Sequence, residues 1–257
     1  MSRAPRDFFP GAIHHVTSRG NRRAAIYHDR RDHFIWLDTL AETVEKHELK
    51  VHAYCLMPNH YHLLIETVHA NLSESMHQLN AIYCQHFNRR HGLTGHVIQG
   101  RFHAVPVTKD RQLLAVARYV SLNPVRAKLV ADPADWPWSS HRHYLFPDEA
   151  PDWLETNWLL SQFGTGDLSQ RIAAYAKFVA NGIGMPNPLK LHAERPNPFR
   201  ERAQPLITYA TAYPDRNEAM AKAYQSTAYT RQEIAEHFGV SARTVARAIN
   251  KFAPKVS

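Results

Sequence analysis

The chain has 257 residues, a formal net charge of +8 and 44% hydrophobic residues, enough for one large domain or two smaller ones. Its two cysteines, Cys55 and Cys84, lie within apolar patterns typical of a reducing compartment. Because the N-terminus lacks an apolar leader and no long apolar run occurs, we expect neither a secretory signal nor a membrane span. The positive charge favours a polyanionic partner. We expect a cytoplasmic, nucleoid-associated protein.

Strand and helix patterns alternate along the first half of the chain. Apolar residues alternate in the predicted strands and recur at helical spacing in the predicted helices. In chain order the sequence predicts a strand over 12–18, a helix over 31–47, strands over 50–56 and 60–67, a helix over 71–89, a strand near 102–108 and a helix over about 110–123. The order is the split-βαβ, or ferredoxin-like, pattern, so we predict an α+β fold whose antiparallel four-stranded sheet carries helices on one face.

The second half divides at proline-rich stretches. "FPDEAPDW" at 146–153 is typical of a linker, two helices are predicted within 153–181, and a second break precedes a helical segment from about 206. We therefore predict three parts: an N-terminal domain over 1–146, a helical connector and linker over 147–205, and an all-α region over 206–257.

Two histidines stand one residue apart in "MPNHYHLLIE", at the start of the third predicted strand. The chain has 18 histidines, so a His-x-His pair proves nothing by itself. A second pair, His141 and His143, lies in a predicted loop or short helix, and we interpret it as two surface histidines.

Strand geometry gives His60 and His62 a shared direction. Residues i and i+2 of a strand point to one face, so the two imidazoles stand side by side and can share a divalent cation. Leu63 and Ile65 point the other way, towards the helices. We therefore expect the histidine pair on the open face of the sheet, within reach of a substrate.

Tyr119 and Asn123 are four residues apart in "RYVSLNPVRAKLV" and share one face of a continuous helix. Such a helix would present a hydroxyl and an amide oxygen together. Two structural alternatives remain open: Asn123 before Pro124 is also typical of a helix N-cap, and Tyr119 also fits a core aromatic position.

Five stretches, in this order, resemble the REP-associated tyrosine transposases, relatives of the HUH-type single-tyrosine insertion-sequence transposases. They are "HHVTSRGNRR", "MPNHYHLLIE", "GRFHAV", "RYVSLNPVRAKLV" and "WPWSSHRHY". The resemblance covers about residues 10–146. It implies a ferredoxin-like fold, in agreement with the pattern of strands and helices.

The resemblance also implies roles for individual residues. His60 and His62 match the paired metal ligands, Tyr119 matches the nucleophile, and Asn123 matches a polar third ligand. Mg²⁺ or Mn²⁺ is the expected cofactor. The implied activity is a DNA transposase or nickase that cleaves and rejoins single-stranded or hairpin DNA at repeated palindromic elements through a covalent 5′-phosphotyrosine. Two alternatives are a non-catalytic, sequence-specific DNA-binding regulator that keeps the fold, and a metal-dependent nuclease that uses water.

Arginines near these motifs are candidates for phosphate contact, because guanidinium groups pair with backbone phosphates. They are Arg19, Arg22, Arg23, Arg89, Arg90, Arg101, Arg118 and Arg126. Arg101 precedes the fourth strand, next to the expected site.

The C-terminal stretch "TRQEIAEHFGVSARTVARAINKF" predicts a helix-turn-helix. Thr230 and Glu233 have capping-box spacing, Gly239 fits the turn, and Ser241 fits the cap of the second helix. Arg243, Thr244 and Arg247 would face outward and contact DNA. The alternative is a structural helical hairpin. The sequence does not distinguish a monomer from a homodimer.

Overall fold

The structure is a computed structural model that describes residues 11–107, 110–189, 204–226, 229 and 231–252; for 110, 111, 232 and 250 only the backbone is described. The chain divides into two compact units, one within residues 11–189 and the other within 204–252 of the described chain. Each unit has its own core of buried side chains.

The first unit begins with the elements that the sequence predicts. The strands are β1 Ala12–Arg19, β2 Leu49–Met57, β3 His60–Thr67 and β4 His103–Val107, and the helices are α1 Arg30–His47, α2 Leu72–His91 and α3 Asp110–Ser121. The strands pair antiparallel in the order β2-β3-β1-β4. The predicted α+β, ferredoxin-like architecture is therefore confirmed.

Two tight connections shape one end of this sheet. Pro58 and Asn59 form a two-residue turn between β2 and β3, so His60 is the first residue of its strand and pairs with Met57. Gly20 follows β1, and a Cβ atom there would lie 2.1 Å from the Ala24 carbonyl oxygen. Only glycine allows the chain to turn back this closely after Arg19.

Helices cover both faces of the sheet. Tyr61, Leu63 and Ile65 point to the layer of α1 and α2. The opposite face packs against α3, with a core that includes Cys55, Met57, Leu64, Leu113, Val116, Ala117, Val120 and Val179. The expectation of helices on one face and an open second face is therefore wrong: α3 carries an apolar stripe, and burial of that stripe covers the face on which His62 lies.

The remaining helices of this unit are short, apart from the last. They are α4 Asn123–Arg126, α5 His141–Leu145, α6 Asn157–Ser161 and α7 Leu168–Ala180, with 3₁₀ turns at Asn21–Arg23, Pro133–Asp135 and Pro147–Glu149. The two helices predicted within 153–181 correspond to α6 and α7. Leu159, Leu160 and Tyr175 share the core of α3, so the first unit includes residues beyond the predicted boundary at 146.

His141 is buried, contrary to the interpretation of His141 and His143 as surface residues. Its Nδ1 lies 2.9 Å from the hydroxyl of Tyr175, and its side chain is 3% exposed. His143 is partly buried. The cause is α7, which supplies Tyr175 from 34 residues further along the chain.

The elements described in the second unit are all helices, as predicted. Its helices are α8 Leu206–Ala212, α9 Arg216–Gln225, α10 Arg231–His237 and α11 Ala242–Lys251. Gly239 has φ +63° in the turn before α11, and the Ser241 side chain accepts from the Thr244 backbone N–H at the start of α11. Thr230, the predicted capping-box residue, lies outside the described residues. Among the described helices, none combines the length and apolarity that a membrane crossing requires.

Candidate active site

His60 and His62 lie next to each other on β3, as the alternation of the strand predicts. Their Nε2 atoms are 3.1 Å apart. Two atoms bound at right angles to one divalent cation, each about 2.1 Å from it, stand about 3.0 Å apart. The pair therefore fits a shared cation, and Nε2 is the atom that each ring offers.

Burial keeps these imidazoles neutral, which is the form that binds a metal. Desolvation, aided by the nearby charge of Arg19, lowers the pKa of His60 to about 4. Desolvation lowers the pKa of His62 well below the usual range, and His15, His60 and Arg19 act in the same direction. His62 is only 5% exposed, because α3 covers it.

Tyr119 projects from α3 onto the histidine pair. Its ring centroid is 5.8 Å from that of His62, in an edge-to-face arrangement. Desolvation raises the pKa of the Tyr119 phenol, and the charge of Arg126 opposes that rise. The structure thus brings together the predicted nucleophile and one of the predicted ligands, with the second ligand beside it.

Asn123 is the first residue of α4, just after the end of α3. Its Nδ2 donates to the carbonyl oxygen of Tyr119 at 2.9 Å, and the side chain is 8% exposed. The alternative role as an N-cap is wrong: Leu122 holds the N-cap position of α4, and no side chain caps this helix. Since the amide nitrogen is engaged, the amide oxygen is the atom that remains for a cation.

Four of the predicted DNA-contact arginines lie around the end of the sheet where His60 begins. Arg19 is the cross-strand partner of His60, and the Arg19 carbonyl accepts from the Gln99 backbone N–H at 2.8 Å, which brings the segment leading to Arg101 alongside. The Arg23 carbonyl accepts from Asn59 Nδ2 at 3.0 Å. All four arginines are exposed: Arg19, Arg22, Arg23 and Arg101.

The backbone of this arginine-rich loop is strained. Arg22 and Arg23 have φ values of 54° and 63°, a left-handed conformation that non-glycine residues seldom adopt. Such strain is common in ligand-binding segments, because the surrounding structure holds the loop in place for its ligand.

Two other predicted DNA-contact arginines, the partly buried Arg118 and the exposed Arg126, lie against aromatic rings of the protein. Arg118 Cζ lies 4.3 Å from the ring centroid of Phe178 on α7. Arg126 Cζ lies 5.4 Å from the ring centroid of Tyr119. Arg126 therefore approaches the predicted nucleophile, and Arg118 packs on a neighbouring helix.

A second cluster of metal-binding residue types lies on the α1–α2 side of the sheet. Ligand atoms of His28, Asp32 and His91 lie within 4.8 Å of one another. The guanidinium of Arg90 already donates to Asp32 and to Asp29, and His91 Nε2 is 2.9 Å from the Asp32 carboxylate. The positive charge of Arg90 thus takes the place that a metal cation would have in this cluster. Because Arg90 pairs with Asp29 and Asp32, it is not available to bind a DNA phosphate.

In the second unit the predicted contact residues lie on α11. Arg243 and Arg247 are exposed, whereas Thr244 is partly buried and its hydroxyl lies 3.1 Å from the Ser241 hydroxyl. The apolar side of α11 enters the core through Val245 and Ala248.

His15 and Asn59 contact the two histidines and are not among the predicted site residues. His15 Nε2 is 2.9 Å from His62 Nδ1, and Asn59 Oδ1 is 2.8 Å from His60 Nδ1. Asn59 lies in the turn directly before His60, so its position next to the pair could be predicted from the sequence. The contact of His15 depends on the register between β1 and β3, which the sequence does not show.

Comparison with known proteins agrees with this geometry. Residues 8–123 match the family model described as IS200-like transposases, from before β1 through Tyr119 and Asn123. The matched segment spans 116 of the 257 residues, and over it the chain is similar to the IS200-like transposases.

The solved structures include one with a similar fold, a REP-associated tyrosine transposase bound to a REP hairpin. It is 18% identical, with a TM-score of 0.50 over 65% of this chain and 93% of that chain. Together with the family match, it confirms the resemblance to the REP-associated tyrosine transposases. No curated protein matches the sequence.

Proposed function

We propose that the protein is a metal-dependent DNA transposase or nickase that cleaves and rejoins DNA through a covalent 5′-phosphotyrosine at Tyr119. The observation that carries the proposal is the contact between Tyr119 on α3 and His62 on β3, with His60 Nε2 3.1 Å from His62 Nε2. A hydroxyl nucleophile and two neutral imidazoles are the groups that this chemistry needs.

In the proposed reaction, the Tyr119 oxygen forms a bond to phosphorus and the bond from phosphorus to the 3′ oxygen breaks. The phenol proton is lost to solvent, and the departing 3′ oxygen gains a proton to become a hydroxyl. The adduct retains the phosphodiester bond, so a 3′ hydroxyl can attack it, reform the strand and release Tyr119. This is strand transfer, which hydrolysis by water does not permit.

His60, His62 and the Asn123 amide oxygen would hold the divalent cation, Mg²⁺ or Mn²⁺. When bound, the cation supplies positive charge to the scissile phosphate. The chain contributes two neutral rings on one rigid strand, and the bond from Asn123 to the Tyr119 carbonyl ties the amide to the nucleophile's helix.

We propose that the substrate is single-stranded or hairpin DNA of repeated palindromic elements, as a similar fold is found in a transposase bound to a REP hairpin. Arg19, Arg22, Arg23 and Arg101 would contact phosphates beside the site. The two helices α10 and α11 would act as a helix-turn-helix, with Arg243, Thr244 and Arg247 towards DNA. A boundary after the first unit would then separate strand cleavage from site recognition.

The test is incubation of the full chain with Mn²⁺ and labelled hairpin DNA, followed by a denaturing gel. A covalent protein–DNA adduct is expected, and EDTA or His60→Ala should abolish it. His69→Ala is the matched control, because His69 is exposed and pairs with Glu48 away from the site. Cleavage without an adduct would indicate a water-using nuclease, and binding without cleavage would indicate a regulator.

A further inference from the structure

His15 is a buried histidine that the proposed reaction does not yet use. It lies on β1 and is 3% exposed, and its ring is nearly coplanar with that of His62, edge to edge, with ring centroids 5.1 Å apart and an interplanar angle of 22°. Its Nε2 lies 2.9 Å from Nδ1 of His62. Its own Nδ1 is buried and has no hydrogen-bond partner among the described residues. Among the described residues, the hydrogen bond of the His15 imidazole is therefore the one to His62.

In each of the two candidate ligands, His60 and His62, the ring nitrogen Nδ1 has a hydrogen-bond partner. Asn59 Oδ1 lies 2.8 Å from His60 Nδ1, and since the Asn59 amide nitrogen donates to the Arg23 carbonyl, its oxygen must accept the His60 proton. His60 Nε2 is then an unprotonated acceptor that faces His62. His15 stands in the corresponding place behind the His62 ring, on Nδ1, the nitrogen that does not face His60.

We propose that His15 is a positioning residue for His62: through the hydrogen bond to Nδ1 it fixes the ring so that Nε2 points at the cation shared with His60. This inference rests on the proposed metal-dependent function. When Nε2 of His62 binds a cation, Nδ1 carries the proton and donates it to His15 Nε2. Second partners of this kind orient ligating histidines and make them better donors, and their loss typically weakens metal binding about 10- to 100-fold.

The chain supplies a matched control one residue away. His14 is also on β1 and is 2% exposed, but its side chain lies on the opposite face of the sheet, opposite Ile65. His14→Leu and His15→Leu are therefore the same substitution at nearly the same burial, and only His15→Leu removes the bond to His62. His15→Gln restores a side chain that can both donate and accept.

Mn²⁺ affinity of the full chain without DNA, measured by electron paramagnetic resonance, is the first readout. We expect about 10- to 100-fold weaker binding for His15→Leu, a smaller loss for His15→Gln and no change for His14→Leu. Equal affinities for the two leucine variants would overturn the inference.

The second readout needs no metal. In nitrogen-15 spectra of the metal-free chain, the Nδ1 resonance of His62 should move in His15→Leu, because it loses its hydrogen bond, and should keep its position in His14→Leu. An unchanged resonance in His15→Leu would overturn the inference even where Mn²⁺ binds. A wild-type chain that takes up no Mn²⁺ would defeat the proposed metal-dependent function, while the spectrum still decides whether His15 holds His62.

Discussion

Arg126 lies over the aromatic ring of Tyr119, with Cζ 5.4 Å from the ring centroid. Its Nη1 donates to the carbonyl oxygen of Met185 at 2.6 Å, which anchors the guanidinium from the segment after α7. Burial raises the pKa of the Tyr119 phenol, and the positive charge of Arg126 works against that rise. Arg126 therefore favours the phenolate of Tyr119, the form that would attack phosphorus in the proposed reaction.

Arg126→Gln should shift the pH dependence of strand cleavage to higher pH. In the proposed reaction cleavage should increase as the phenol loses its proton, and removal of the positive charge should raise the pKa of Tyr119 further. The measurement is the rate of adduct formation with hairpin DNA between pH 6 and 10. Arg142→Gln is the control, since Arg142 Cζ also lies 5.4 Å from an aromatic ring, that of Phe146. An identical pH profile for wild type and Arg126→Gln would show that Arg126 does not act on the phenol.

Asn123→Ala should slow cleavage by on the order of 10- to 100-fold, because it removes a proposed metal ligand and loosens the proposed nucleophile. Added Mn²⁺ should partly restore the rate by refilling the weakened site. Rates measured over a range of Mn²⁺ concentrations test this. If Asn123 only supports the turn after α3, the variant should lose about 1 kcal/mol of unfolding free energy, with no recovery at high Mn²⁺.

Local patterns predicted the elements of the first domain because each repeats within a few residues. The alternation in 60–67 put His60 and His62 side by side, and the helical spacing in 110–123 put Tyr119 on a helix. Those two features, with the motif order, are enough to indicate the resemblance to the transposases and the pair of histidines.

Contacts between segments that are distant in the chain could not be predicted from local sequence patterns. The packing of α3 on the histidine face follows from how its apolar stripe meets Cys55 and Leu64, which depends on the whole sheet. His15 meets His62 only through strand register, and His141 is buried only because Tyr175 arrives from α7. Each of these outcomes joins residues at least 34 positions apart.

The buried histidine His141 should make stability depend on pH. Desolvation lowers its pKa to about 4 in the folded protein from the usual 6.5, with Asp132 acting weakly in the opposite direction. Between these values only the unfolded chain binds the proton, so the stabilisation is complete above pH 6.5 and is lost as the pH falls. At pH 5 the loss from this one group amounts to about 2 kcal/mol.

Urea unfolding of wild type and His141→Gln at pH 7 and pH 5 measures this contribution. The free energy of unfolding should fall by about 2 kcal/mol less in the variant than in the wild type. Parallel losses in the two proteins would mean that His141 titrates normally in the folded state.

Deletion of residues 206–257 should weaken DNA binding or change site preference and leave adduct formation at high protein concentration. The reason is that the described C-terminal helices form a core of their own, with Ile234 and Val245 inside. Arg243→Gln/Arg247→Gln should reproduce the loss of binding in the intact chain and reduce its dependence on salt. The measurement is the affinity for DNA of the wild type and of each variant at two salt concentrations. If affinity and site preference are unchanged, these helices must have a role other than DNA binding.

Tyr119→Phe tests the central claim most directly, because it removes one oxygen and leaves the ring against His62. Binding of hairpin DNA and folding should change little. The measurement is a denaturing gel of labelled hairpin DNA incubated with Mn²⁺ and either wild type or the variant. The account predicts that strand cleavage and the 5′-phosphotyrosine adduct both disappear in Tyr119→Phe. Strand cleavage by a folded, nuclease-free Tyr119→Phe protein would contradict it.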